Sequence, residues 1–200
     1  MVRVGITGGI GSGKSTVCKI WDEMGAFVLY ADDLAKKIMT DDPEVKEQIV
    51  KHFGDQAYDE KGNLNRPYLA DKAFREGMAD VLNRIVHPAV YKESAKIAKK
   101  AEKKGYPVFV KEAALLLKNG RPENLDYVVI VTGTEEKRIK RVVKRDDVDE
   151  KKVSDRIRNQ QDFKELIHLA DYIIDNNGSL DELHAKAKEI YREILERNNF

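Results

Sequence analysis

Only one cysteine, Cys18, occurs among the 200 residues. A lone thiol excludes an intramolecular disulfide and any zinc site built on cysteines. Its place beside Val17 and Ile20 in a helical pattern suggests packing rather than reactivity. No apolar run approaches the length needed to span a bilayer, and no secretory leader is visible, so a cytoplasmic protein without a membrane partner is expected. Charge of one sign is also scarce. Charged residues make up 36% of the chain, yet the formal net charge is +1. A dedicated nucleic-acid binder carries a strong basic excess, so no nucleic-acid partner is expected either. Internal repeats and low-complexity tails are absent. So is an N-K-x-D guanine-reading motif, which argues against a GTPase switch. Two hundred residues suit one domain, with room for an inserted lobe.

What the chain does have, seven residues in, is "GGIGSGKST", Gly8–Thr16. Glycine carries an entropic cost on folding, so so dense a run next to the strand-like "VRVGIT" needs a reason. The spacing Gly8, Gly13, Lys14, Ser15 fits G-x-x-x-x-G-K-[ST], the phosphate-binding P-loop. Glycines let backbone N–H groups curl round an anion, and the following helix adds its N-terminal N–H groups and dipole. Lys14 supplies charge near the β- and γ-phosphates, and the Ser15 hydroxyl is the candidate Mg²⁺ ligand. Gly9, Gly11, Ser12, Gly13, Lys14, Ser15 and Thr16 are thus the candidate nucleotide-binding residues. A plain glycine-rich turn is the competing reading. It is disfavoured because "STVCKIWDEMG" continues with helical spacing at Val17, Ile20, Trp21 and Met24.

Apolar runs at Val2–Thr7, Ala26–Tyr30, Val108–Lys111, Tyr127–Val131 and Tyr172–Asp175 predict five strands, several continuous enough to be buried on both faces. Helical patterns fill the gaps, so the expected fold is α/β with a parallel five-stranded sheet flanked by helices. Residues 32–105 break the alternation. They read as a helical insertion, punctuated by Pro43, by "DEKGNLNRP" and by His87-Pro88. A second, charge-rich excursion covers residues 134–170.

In a parallel sheet, ligands gather at the carboxyl ends of the strands. There the second strand delivers Asp32 and Asp33. One carboxylate is expected to act as general base in phosphoryl transfer, the other to cap a helix. In the second excursion Arg138, Arg141 and Arg145 step by three and four along one helical face. Residues 134–158 hold ten basic and seven acidic side chains. At least one of these arginines is expected to close over the phosphates, with an ordinary solvated face as the alternative. His52, His168 and His184 read as structural. His87, fixed by Pro88, is the one histidine with a chance of touching a ligand.

"GITGGIGSGKSTV", "ADDLAKKI", "LNRIVHPAV" and "ADYIIDNNGSLDEL", in this order and at these intervals, resemble dephospho-coenzyme A kinases over nearly the whole chain. The resemblance implies a P-loop kinase core with a helical acceptor lobe and a lid. It implies transfer of the ATP γ-phosphate, with Mg²⁺, to the 3′-hydroxyl of dephospho-CoA. It makes Asp32 the base, the second aspartate of the family's D-A-D. It matches Arg66 and His87 to acceptor positions and Arg141 and Arg145 to lid arginines, and it brings Asn176 and Gly178 near the adenine. Lys14, Asp32 and Arg141 are the expected catalytic residues. The chain departs from the family pattern in two places. Tyr30 replaces the first aspartate of D-A-D. Glu112-Ala113-Ala114-Leu115-Leu116-Leu117-Lys118 replaces D-x-P-L-L-F-E. A nucleoside monophosphate kinase of the same architecture, or a non-catalytic nucleotide-binding relative, is the alternative. Oligomeric state is not legible.

Overall fold

The computed structural model describes residues 1–200, the side chain of Phe74 apart. The backbone forms two compact units, one of Met1–Tyr30 with Ala101–Phe200, the other of Ala31–Lys100.

The first unit is built on five strands: β1 (Val2–Thr7), β2 (Phe27–Tyr30), β3 (Val108–Glu112), β4 (Tyr127–Thr132) and β5 (Tyr172–Asp175). Their order is β2-β3-β1-β4-β5, and every pairing is parallel. This is the sheet the apolar runs predict. β1 is central, so the loop that leaves it lies between the ends of β3 and β4. On one face Val2, Val4 and Ile6 pack with Val17, Ile20 and Trp21 of α1 (Lys14–Glu23). On the other face Gly5 leaves no room for a side chain. A Cβ there would lie 2.5 Å from Leu116 and 2.6 Å from Leu125. Trp21 is fully buried and donates its indole N–H to the Ala187 carbonyl at 2.9 Å, so its one polar atom is satisfied.

The second unit is helical: α2 (Ala31–Asp41), α3 (Pro43–Phe53), α4 (Arg66–Phe74) and α5 (Ala79–Lys103), whose last residues belong to the first unit. Asp42 caps α3 through the N–H groups of Glu44 and Val45, with Pro43 at the first turn, where its missing N–H costs nothing. Asn65 caps α4. His87-Pro88 does not punctuate the chain. α5 runs through Pro88 for 25 residues. Proline removes one donor and crowds the preceding turn, but a long helix keeps its remaining bonds.

Back in the first unit, α6 (Glu135–Asp146) and α7 (Glu150–Arg158) form a pair, and α8 (Leu180–Arg197) closes the chain. α6 carries Glu135 and Glu136 in its first turn and Lys144 and Arg145 in its last, which complements the helix dipole. Ile139, Val142 and Val153 are the buried seam between α6 and α7, and Ile10 packs against it. Ser179 and Glu182 form a reciprocal capping box at the start of α8. Among the described residues no helix is long and apolar enough to cross a membrane.

Candidate active site

The chain leaves β1 at buried Thr7 and turns back between Gly9 and Ser12, where the Ser12 N–H donates to the Gly9 carbonyl at 3.1 Å. Gly11 (φ +74°) and Gly13 (φ +104°) sit in the left-handed region that side chains disfavour. Gly13 is the N-cap of α1 and offers no side-chain cap, so the first turn of that helix opens onto a cleft. Lys14 folds back across the loop. Its ammonium donates to the Gly8 carbonyl at 2.8 Å and the Gly9 carbonyl at 3.3 Å, and lies 3.8 Å from the Glu112 carboxylate. Glu112 is buried at the end of β3. A buried carboxylate is costly unless paired, and here its pair is the P-loop lysine. Cys18 lies buried one turn further along α1. Burial pushes its thiol well above the ordinary range, and the Glu112 charge adds to this, so Cys18 is packing and not a nucleophile.

The facing wall comes from α6 and from the turn after β5. Arg141 donates through one guanidinium nitrogen to the backbone carbonyl of Asn176 at 2.8 Å and to its side-chain oxygen at 3.1 Å. The other terminal nitrogen, Nη1, is buried with no protein partner. Asn176 is itself buried, and its amide donates to the Ser12 carbonyl at 2.7 Å. Thus one asparagine holds both the P-loop and the arginine opposite. Gly178 leaves room for the cap of α8. A Cβ there would overlap the Glu182 carboxylate, which reaches back to cap α8.

The cleft between these walls has a volume of about 630 Å³. Gly11, Gly13, Lys14, Ser15, Thr16, Arg141, Arg145, Asn176 and Gly178 all line it, with Leu180 and Leu183 as an apolar end. Arg145 reaches the cleft, but its guanidinium is engaged in two bonds to Asp146, at 2.6 and 2.8 Å. The donor set suits a polyphosphate with a divalent cation. It combines a folded ammonium, an uncapped helix start, the Ser15 hydroxyl and the Arg141 side chain. Leu180, exposed at the apolar end, is a lining residue that the sequence reading missed. Its exposure within a cleft is a structural signal with no counterpart in the sequence.

Gly9 and Ser12 face away, toward a second cavity on the far side of α6. There sequence reasoning left one residue unassigned and missed another. The Arg138 Nε donates to the Ile10 carbonyl at 2.9 Å, and the Gln160 side-chain oxygen accepts from the Ile10 N–H at 2.9 Å and from Arg138 at 3.2 Å. Arg138 stood among the stepping arginines, but periodicity does not say which of them meets the loop. Gln160 carried no signal.

Asp32, Arg66 and His87 belong to the second unit and are exposed within it. Asp32 lies in the first turn of α2, two residues after β2 ends. The expected division of labour between the aspartates needs correcting. Asp33 lies inside that turn, not at the cap, and pairs with Lys36 at 2.6 Å. The helix starts at Ala31, directly after the strand, so both carboxylates fall within its first turn. Arg66 is the first residue of α4, and His87 lies in mid-α5.

A family model described as dephospho-CoA kinase matches residues 2–182. The chain is 42% identical over 192 residues to a dephospho-CoA kinase of Salinibacter ruber, covering 96% of each chain. It is 38% identical over 200 residues to one of Corynebacterium glutamicum, covering both chains in full. Among solved structures it resembles a Thermus thermophilus protein with a TM-score of 0.78 at 30% identity, covering 96% of this chain and 97% of that one. A dephospho-CoA kinase from Campylobacter jejuni gives 0.72 at 25% identity, covering 98% of each. A shikimate kinase from Bacteroides thetaiotaomicron, at 15% identity and 0.51 over 98% of each chain, shares the fold. The nucleoside monophosphate kinase and non-catalytic readings are not favoured.

Proposed function

The chain belongs to the dephospho-CoA kinase family, and from that premise we propose how its residues divide the reaction. The reaction is transfer of the γ-phosphoryl group of ATP to the 3′-hydroxyl of dephospho-CoA. The hydroxyl oxygen attacks phosphorus, the bond to the β–γ bridging oxygen breaks, ADP leaves, and Asp32 accepts the hydroxyl proton. Lys14 stabilises charge on the phosphates as it moves to the leaving oxygen. Its anchorage to Gly8 and Glu112 lets it act without reorganising at the moment of transfer. The Ser15 hydroxyl takes part in holding Mg²⁺, which when bound spreads the charge of the phosphates. Arg141 meets the phosphates from the cleft wall that it lines, and Arg145 joins it by giving up Asp146. Gly11, Gly13 and Thr16 complete the phosphate cradle, Gly9 and Ser12 shape the loop from its other side, and Asn176 and Gly178 border the adenine. Residues 32–105 supply the acceptor lobe, with Arg66 and His87 as its contacts. Residues 134–170 act as the lid that excludes water, the competing acceptor.

The observation that supports this reading best is that anchored Lys14 and Arg141, from two different walls, line one cleft. Purified protein with Mg-ATP and a panel of acceptors tests it by product mass. We expect CoA from dephospho-CoA, with nucleoside monophosphates left unchanged. Hydrolysis of ATP without CoA formation, or transfer to another acceptor alone, would overturn it.

A further inference from the structure

The two-point grip on Ile10 has no place in the chemistry above. Both backbone polar groups of this P-loop residue are satisfied by side chains from residues 134–170, the N–H by Gln160 and the carbonyl by Arg138. Gln160 also bonds Arg138, so the three groups close a triangle. The Ile10 side chain completes the contact by packing against the seam of α6 and α7. The next residue, Gln161, donates to the Ala114 carbonyl at 3.3 Å, and the Thr7 hydroxyl reaches the same carbonyl at 3.4 Å. The segment after α7 therefore fastens at once to the loop leaving β1 and to the loop leaving β3.

From this geometry we propose that Gln160 and Arg138 are positioning residues that set the P-loop, so that the phosphate cradle takes its working shape only while residues 134–170 are docked on Ile10. Neither touches the cleft that holds the phosphates. A P-loop works by aiming successive peptide N–H groups at an anion. Tying the N–H and the carbonyl of Ile10 fixes the two peptide planes that flank it, and with the second of them the aim of the Gly11 N–H. Removing the tie leaves two backbone groups seeking water and a glycine-rich segment with many alternatives.

Gly9 gives this a second, independent footing. Unlike Gly8, Gly11 and Gly13, it has no positive φ, so its backbone does not require glycine. It has no side chain because the Arg138 guanidinium occupies that space. A methyl group at Gly9 meets only the far end of a flexible side chain, which swings away at little cost in stability. Gly9→Ala is thus a means of evicting Arg138 without touching Arg138.

The inference rests on the kinase reading, and turnover of dephospho-CoA by the wild-type chain tests that reading alone. The inference itself is tested by Gln160→Ala, Gln160→Glu, Arg138→Ala, Gly9→Ala and the double variant Gly9→Ala/Arg138→Ala. Only the acceptor oxygen of Gln160 is used, and a glutamate keeps one. Gln160→Glu should therefore retain turnover. Gln160→Ala should lose on the order of tenfold to a hundredfold in kcat, as small misplacements of a cradle do, with KM for dephospho-CoA unchanged. Gly9→Ala and Arg138→Ala should each lose a similar factor, and the double variant should be no worse than either, since both remove one interaction. Hydrogen exchange of the ligand-free protein should show residues 8–13 opening faster in Gln160→Ala. Full activity in Gln160→Ala or Gly9→Ala, multiplying losses in the double variant, or equal damage from Gln160→Glu and Gln160→Ala would each overturn the proposal.

Discussion

Asn176 joins the two walls of the cleft, so its replacement should be felt in stability and in nucleotide binding together. In Asn176→Ala the Ser12 carbonyl loses its 2.7 Å donor, and Arg141 loses one of two acceptors while keeping the 2.8 Å bond to the backbone carbonyl. Leaving one buried carbonyl unsatisfied costs about 1–3 kcal/mol, and the retained backbone bond spares most of the cost at Arg141. Taking about 2 kcal/mol, and roughly 2–4 °C per kcal/mol for a chain of this size, the Tm should fall by about 4–8 °C. Asn176→Asp conserves shape but turns a carboxylate oxygen toward the Ser12 carbonyl, so its Tm should fall at least as far. It also places negative charge beside the phosphate cleft and should weaken ATP more than Asn176→Ala does. Thermal melts with and without Mg-ATP, and calorimetric titration of ATP, measure both effects. An Asn176→Ala protein melting within about 1 °C of wild type and binding ATP equally well would refute the link between the walls.

Three further outcomes are expected. Asp32→Asn should lose on the order of a hundredfold or more in kcat with ATP affinity kept, while Asp33→Asn, which gives up only the surface pair with Lys36, should turn over near the wild-type rate in the same steady-state assay. Arg141→Ala should cost on the order of a hundredfold in transfer, and Arg141→Lys should not restore it in single-turnover measurements, because an ammonium lacks the fork that bonds Asn176 twice and would leave a further N–H for the proposed phosphate. Cys18 should resist thiol reagents in the native state and react after unfolding. Because burial raises its pKa in the folded protein, its contribution to stability is full below the unfolded value of about 8.5 and is lost as pH rises beyond it, which urea melts across alkaline pH would record.

The parallel sheet was legible because strands covered on both faces must be apolar without interruption, and Val128–Val131 or Val108–Val110 satisfy that in any context. The phosphate loop was legible because its chemistry constrains four positions at fixed spacing. What resisted reading depended on how distant segments meet. Pro88 looks like a boundary in sequence, yet α5 runs through it, its other backbone bonds outweighing the one that proline removes. Asp33 looks like a cap, yet with no residue between β2 and α2 the helix starts at Ala31, three positions too early for that role. Three arginines on one helical face are equivalent until the fold sends Arg138 to Ile10, Arg141 to Asn176 and Arg145 to Asp146. Asn176 was reachable only through family resemblance, since a buried asparagine that bridges Ser12 and Arg141 has no pattern of its own. Gln160 acts through a single oxygen 150 residues from its partner, and no local pattern reports such a contact.

Lys14 carries the central claim, an ammonium folded onto the loop beside a buried carboxylate. The most direct measurement is the single-turnover rate of CoA formation from Mg-ATP and dephospho-CoA, wild type against Lys14→Ala, with circular dichroism to show that both chains are folded. Removing the ammonium should cost roughly 2–4 kcal/mol of transition-state stabilisation, about thirtyfold to a thousandfold in rate. A folded Lys14→Ala protein that forms CoA at the wild-type rate would contradict it.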